Sequence, residues 1–228
     1  MNPYDAFYLT KLYPFQDGVL NIVKRSGLPF YLTGGTALSR GYFNHRYSED
    51  LDFFVNNANN YQELTGELIQ LLIENQDSLL YRVDMQTVRR TETFSQVILK
   101  SVKNECLLKI DMVNDVAFRV GNVVAHESLG AIDTWENILS NKCAALYRFE
   151  PKDVADIWCI AKNRRFVWSE ILADAKEKDG GVEPMAIAEI LASFPDDMVR
   201  RVKWNRKRGR TRPHGGPGRP RFIRCGLL

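Results

Sequence analysis

Two carboxylates stand two residues apart in Asp50-Leu51-Asp52, within the run GGTALSRGYFNHRYSEDLDFF of residues 34–54. DLDFFV is apolar and aromatic enough for a buried strand. Side chains alternate faces along a strand, so Asp50 and Asp52 share one face while Leu51 and Phe53 take the other. Carboxylates that close repel and desolvate one another, which calls for a cation. A hard divalent ion suits them, Mg2+ or in its place Mn2+, because it takes one or two carboxylates and fills its octahedron with water and phosphate oxygens. Asp111 is a candidate third acid: in LLKIDMV, Leu108, Ile110 and Met112 alternate with Lys109 and Asp111. If strands 50–55 and 107–113 are neighbours, three carboxylates converge. Upstream, Gly34-Gly35-Thr36 lies between a short strand and a short helix, where glycine lets the backbone approach a phosphate, a helix start favours negative charge, and Thr36 can cap the helix or bond a phosphate oxygen.

A diglycine turn, a short helix and then Asp-x-Asp on the next strand resembles the minimal motif of the DNA polymerase β-like nucleotidyltransferase superfamily. Within it, the sequence is similar to the AbiEii/AbiGii abortive-infection toxins, whose members share His-Arg-x-Ser-x-Asp-Leu-Asp-Phe, here His45 to Phe53. The downstream runs NKCAALYR and PKDVADIW, with Lys142, Arg148, Lys152, Asp153 and Asp156, resemble the later motifs of that family. The resemblance spans roughly residues 25 to 170.

It implies transfer of a nucleotidyl group from an NTP by a toxin restrained by a cognate antitoxin and serving antiviral defence, with the acceptor end of tRNA as the leading acceptor. Carried over position by position, Gly34, Gly35 and Thr36 hold the triphosphate, with Arg46, Ser48 and Arg148 orienting phosphate or the metal carboxylates. Asp50 and Asp52, with Asp111 as the less secure third acid, bind Mg2+. Lys142 neutralises phosphate charge and Asp153 is a catalytic or positioning acid. Two rivals stay open: an enzyme that nucleotidylates protein or a small molecule such as an aminoglycoside, and a non-catalytic antitoxin- or nucleic-acid-binding protein of the same fold.

The elements that must position these residues are legible as a coarse pattern. Residues 4–25 predict a helix with a kink at Pro14, 29–33 a strand, 36–41 a short helix, 50–55 a strand and 61–73 an amphipathic helix. Stretches 80–88, 93–102 and 105–113 predict an antiparallel meander, with a further short strand at 122–126. From Thr134 the period becomes helical, over 134–148, 152–163, 167–177 and 183–193, and Pro151 and Pro184 suit helix starts. The fold class is α+β: a mixed or antiparallel sheet flanked by helices, then an all-helical region. The domains are a catalytic domain at 1–130, a helical region completing the site at 131–199, and a tail at 200–228.

Composition sets the outer bounds. At 228 residues with 45% apolar and 26% charged residues, the chain can bury a substantial core, which excludes disordered, collagenous and disulfide-scaffold classes. Its four cysteines have no CxxC spacing and its three histidines lie far from them, which argues against a zinc site. No apolar run approaches a membrane helix and no signal segment opens the chain, so a cytoplasmic protein without membrane contact is expected. The net charge of +3 hides an asymmetry: residues 200–228 hold eleven Lys or Arg and no Asp or Glu, leaving 20 basic and 28 acidic residues, net −8, in 1–199. Rich in glycine and proline, the tail is expected to be disordered, either as an arm that binds nucleic-acid phosphates or as a terminus without a role.

Overall fold

The computed structural model describes residues 3–205. Of the tail expected to be disordered from residue 200, residues 200–205 are instead ordered, held by backbone bonds of Lys203 and Asn205 to the loop at His45–Tyr47; beyond Asn205 the tail lies outside the described residues. A seven-stranded mixed sheet runs in the order β3-β4-β5-β2-β1-β7-β6, built from β1 (Tyr31–Thr33), β2 (Leu51–Asn56), β3 (Tyr81–Arg90), β4 (Phe94–Ser101), β5 (Leu107–Asp115), β6 (Val124–His126) and β7 (Gly130–Ile132). β3, β4 and β5 form the expected antiparallel meander, and β5 joins β2 in parallel. β1 pairs antiparallel with β2 and parallel with β7. The two short edge strands close the sheet on the β1 side, and the three-residue β7 went unseen in the sequence pattern.

Alternation gives each central strand two chemistries. Leu51, Phe53 and Val55 of β2 and Leu108, Ile110 and Met112 of β5 are buried in the main core, while Asp52, Lys109 and Asp111 stand on the opposite face. Helices α2 (Tyr13–Ser26) and α4 (Tyr61–Glu74) send Val19, Leu20, Ile22 and Val23, and Leu64, Leu68 and Leu72, into that core. Burying side chains of this size stabilises the fold by roughly 1.5–3 kcal/mol each, before chain entropy is set against it.

The N-terminal helix is one run of three segments: α1 (Pro3–Phe7), a π-helical stretch (Tyr8–Leu12) and α2. Pro14 has no N–H to donate to the preceding turn, and the structure accommodates it with wider turns before it. A second π-helical stretch, Ala37–Phe43, follows the three-residue α3 (Gly34–Thr36). The C-terminal helices are α5 (Trp135–Ala144) with a 3-10 turn (Ala145–Arg148), α6 (Pro151–Asn163), α7 (Trp168–Lys178), α8 (Pro184–Ser193) and α9 (Asp196–Arg200). Pro151 and Pro184 each start a helix, as expected.

Candidate active site

Register assembles the site. Thr33 of β1 lies opposite Asp52 of β2, Asp52 opposite Asp111 of β5, and Asp111 opposite Gln96 of β4. Directly opposed residues project from one face, so four polar side chains form a row across four strands. The two acids are near enough that Asp52, pushed up first by burial and then by the charge of Asp111, titrates at about 6. Asp50 sits just before β2 and adds to the same effect.

One cation already stands at this acidic face as a side chain. Lys109 Nζ lies 2.6 Å from Asp111 and 3.6 Å from Asp50. Gln96 donates to the other oxygen of Asp111 at 2.7 Å. Asp111, the less secure third acid of the sequence reading, thus has both oxygens engaged by neighbouring side chains. Among the described residues no group of three or more His, Cys, Asp or Glu is arranged to close around a metal ion. Asp50 and Asp52 remain as a two-carboxylate platform, a donor set that suits an ion completing its shell with phosphate and water.

The glycine turn abuts this platform. Gly34 has φ +64°, and a Cβ built on it would come 2.5 Å from Asp52 Oδ2. Glycine is required here both by the left-handed backbone and by the approach of the carboxylate. A Cβ on Gly35 would strike the Arg46 guanidinium and reach 3.0 Å from Ser48 Oγ. Thr36 is fully buried and donates to the Asp50 carbonyl at 2.5 Å. Its hydroxyl therefore anchors the acidic loop.

Arg46, expected to orient phosphate or the metal carboxylates, is tied into the protein behind the acidic loop. It is 2% exposed and makes a two-pronged pair with Asp156 of α6, Nε to Oδ1 at 2.6 Å and Nη2 to Oδ2 at 2.7 Å. His45 Nε2 lies 2.9 Å from the same carboxylate and Lys142 Nζ 3.1 Å. Burial alone would raise Asp156, but the charges of Arg46 and Lys142 and these hydrogen bonds hold it well below the usual carboxylate range. Arg46 and Ser48, both buried, brace the glycine turn from beneath.

Lys142 and Asp153 carry the opposite wall. Lys142, on α5, bonds Asp153 at 2.6 Å, and Asp153 in turn accepts from Arg148 at 2.9 Å. Burial disfavours the Lys142 ammonium, yet Asp156 and Asp153 raise its pKa above the ordinary value, so it stays charged. Arg148 is the outermost member, its side chain 64% exposed. The ion-pair cluster of Arg46, Lys142, Arg148, Asp153 and Asp156 carries net +1, and Asp50, Asp52, Asp111 and Lys109 carry net −2. A cavity of about 700 Å³ between the polar face of the sheet and the helices is lined by Gly34, Asp52, Asp111, Lys142 and Arg148. It offers a cation-seeking floor and an anion-seeking wall.

Two contributors escaped the sequence reading. Lys178, at the end of α7, lines the cavity and donates to Asn137, Ser140 and Asn141 of α5 at 2.5–2.7 Å. Burial pulls it down to about 8. The segment Lys203–Asn205 straps the loop before Asp50: Tyr47 N donates to Lys203 O at 2.8 Å, Asn205 N to His45 O at 2.9 Å, and Lys203 pairs with Glu49. A lysine 126 residues from Asp52 and a strap 152 residues away leave no local signal in the sequence.

The fold and this cleft define a class. A proposed nucleotidyltransferase from H. pylori has a similar solved structure, with a TM-score of 0.51 and 19% identity over 84% of this chain and 87% of that one. JHP933 from Helicobacter pylori is similar as well, with a TM-score of 0.50 and 20% identity over 83% and 85%. At such identity the likeness speaks for the fold alone. A search of curated proteins found no match. The chain itself belongs to the family described as nucleotidyl transferase AbiEii toxin, Type IV TA system, whose model matches residues 23–222. It is thus a nucleotidyltransferase of the toxin–antitoxin kind, with an NTP as substrate and an antitoxin as counterpart, which removes the non-catalytic rival. Among the described residues no helix is long and apolar enough to cross a membrane.

Proposed function

We propose that the protein moves a nucleoside monophosphate from an NTP to the acceptor end of a tRNA, with Mg2+ held by Asp50 and Asp52, as the toxin of an abortive-infection system acting in the cytoplasm. One observation carries this reading: Asp52 is in register with Asp111, touches the Gly34 turn, and opens into the same cavity as Lys142 and Arg148. When bound, Mg2+ would supply Lewis-acid charge neutralisation at the phosphates.

The chain's own residues divide the remaining work. The backbone at Gly34 lets a phosphate approach Asp52 without a side chain in the way. Lys142 and Arg148 are placed to neutralise charge on the departing pyrophosphate, an arrangement that needs no reorganisation during the reaction. Asp153 holds both cations in position, and Asp156 with Arg46 fixes the loop beneath the turn. Positioning accounts for most of the catalysis, which is typical of phosphoryl chemistry.

The test is incubation with each labelled NTP, Mg2+ and either total tRNA or total cell protein. Label in tRNA supports the reading. Label confined to protein transfers the reading to a protein-modifying enzyme, and label in neither refutes nucleotidyl transfer to macromolecules.

A further inference from the structure

From Asp156 outward the structure carries a band of rings and cations. His45, bonded to Asp156, meets Trp204 edge-on at 6.4 Å, and Trp204 meets Trp158 at 5.9 Å. Lys162 Nζ stands 5.0 Å over Trp158. On the other side of His45, Phe43 lies at 6.3 Å, and the Arg164 guanidinium stands 5.6 Å over Phe43 and 5.8 Å over Trp135. All four large rings are partly exposed, and Lys162, Arg164 and Arg165 are exposed. None of these three cations enters an ion pair among the described residues, in a chain whose residues 1–205 hold 23 basic and 28 acidic side chains.

We propose that this band is a docking face for single-stranded RNA, which deepens the tRNA reading above and rests on it for its link to catalysis. Three arguments favour RNA over an acidic protein segment. Unpaired cations beside half-exposed rings match what a single strand offers, phosphates for the ammonium and guanidinium groups and bases for the ring and guanidinium planes. The rest of the described chain is net acidic, so a polyanion is directed here instead of being spread over the surface. The chain also leaves the described structure at Asn205, which is bonded to His45 within the band, and the 23 residues that follow carry eight Lys or Arg and no acid. His45 of the band bonds the buried Asp156, which also pairs with Lys142 of the cavity wall, so a strand lying on the band is held near the cleft.

The test measures binding of a fluorescein-labelled 12-nucleotide oligo(U) to the full chain by anisotropy, without NTP, across a salt series. Neutralising Lys162, Arg164 and Arg165 to Gln should raise Kd at least tenfold and reduce the slope of log K against log salt by about 2, at roughly 0.7 for each phosphate that is no longer neutralised. The control, Lys11, Lys24 and Arg25 to Gln, removes equal charge from exposed positions of the N-terminal helix and should change Kd less than threefold. Equal losses in both triple variants, or unchanged binding in the first, overturn the docking face. Loss of poly-glutamate binding with RNA binding intact overturns it in favour of an acidic peptide. Oligo(U) binding that depends on the band, in a wild-type chain that transfers no label to tRNA, upholds the face while refuting the acceptor reading.

Discussion

Replacing Gly34 by Ala separates backbone strain from damage to the site. At φ +64° an alanine costs roughly 1 kcal/mol relative to glycine, which lowers Tm by about 2–4 °C in a chain of this size. The added methyl would start 2.5 Å from Asp52 Oδ2, so the carboxylate must retreat by close to 1 Å to reach ordinary contact. A displacement of about 1 Å in a positioned catalytic group costs on the order of 100-fold in rate. Gly27 supplies the control: its φ is +71°, and a Cβ there meets nothing within 4 Å. Gly27→Ala should share the loss in Tm and keep full activity. The assay is initial-rate transfer of labelled NMP beside thermal unfolding of both variants. Gly34→Ala retaining activity within threefold of wild type, or Gly27→Ala losing as much as Gly34→Ala, refutes the claim that the turn exists to admit a phosphate against Asp52.

Three further outcomes are expected. Asp156→Asn leaves Arg46 and Lys142 buried with less compensation, and chemical denaturation should show a loss of about 3–5 kcal/mol, far beyond that of an exposed pair such as Asp197 with Arg201. The folded state holds the Asp52 proton more tightly than the unfolded chain does, so the ionised group disfavours folding above about pH 6 and ceases to do so as pH falls through 6 toward 3.8. Asp52→Asn should therefore be the more stable protein at pH 7, the gap closing in acid, while wild-type affinity for Mn2+ weakens about tenfold per pH unit below 6 because proton and metal compete. Lys178, drawn down to about 8, should react with an amine-selective acylating reagent at pH 8 faster than the surface lysines, and NTP in the cavity should slow that reaction, as read by peptide mass spectrometry.

What the sequence disclosed was what lies close along it. The alternation in β2 and β5 correctly separated Asp52 and Asp111 from their buried neighbours, and the adjacency of the two strands, in sequence only a condition for the acids to converge, is supplied by their parallel register. The Lys142 helix and the Asp153 helix were both visible from their periods and from Pro151. Pairing partners were not visible. Arg46 and Asp156 are 110 residues apart, and a charged residue close to a glycine turn gives no local sign that it points into the protein instead of the cleft. Thr36 was ambiguous for the same reason, since a threonine that caps a helix, holds a phosphate or anchors a neighbouring loop reads alike in sequence. Strand β7 and helix α9 are three and five residues long, too short for any periodicity, and are fixed by their neighbours in the fold.

The most direct test is diffraction from crystals grown with Mn2+ and a non-hydrolysable NTP analogue, using the anomalous signal of manganese to locate the ion. A peak within about 2.1 Å of carboxylate oxygens from Asp50 and Asp52, with the analogue's phosphates running past Gly34 toward Lys142, is the predicted result. A nucleotide seated elsewhere, or a metal that ignores both carboxylates, would contradict the account.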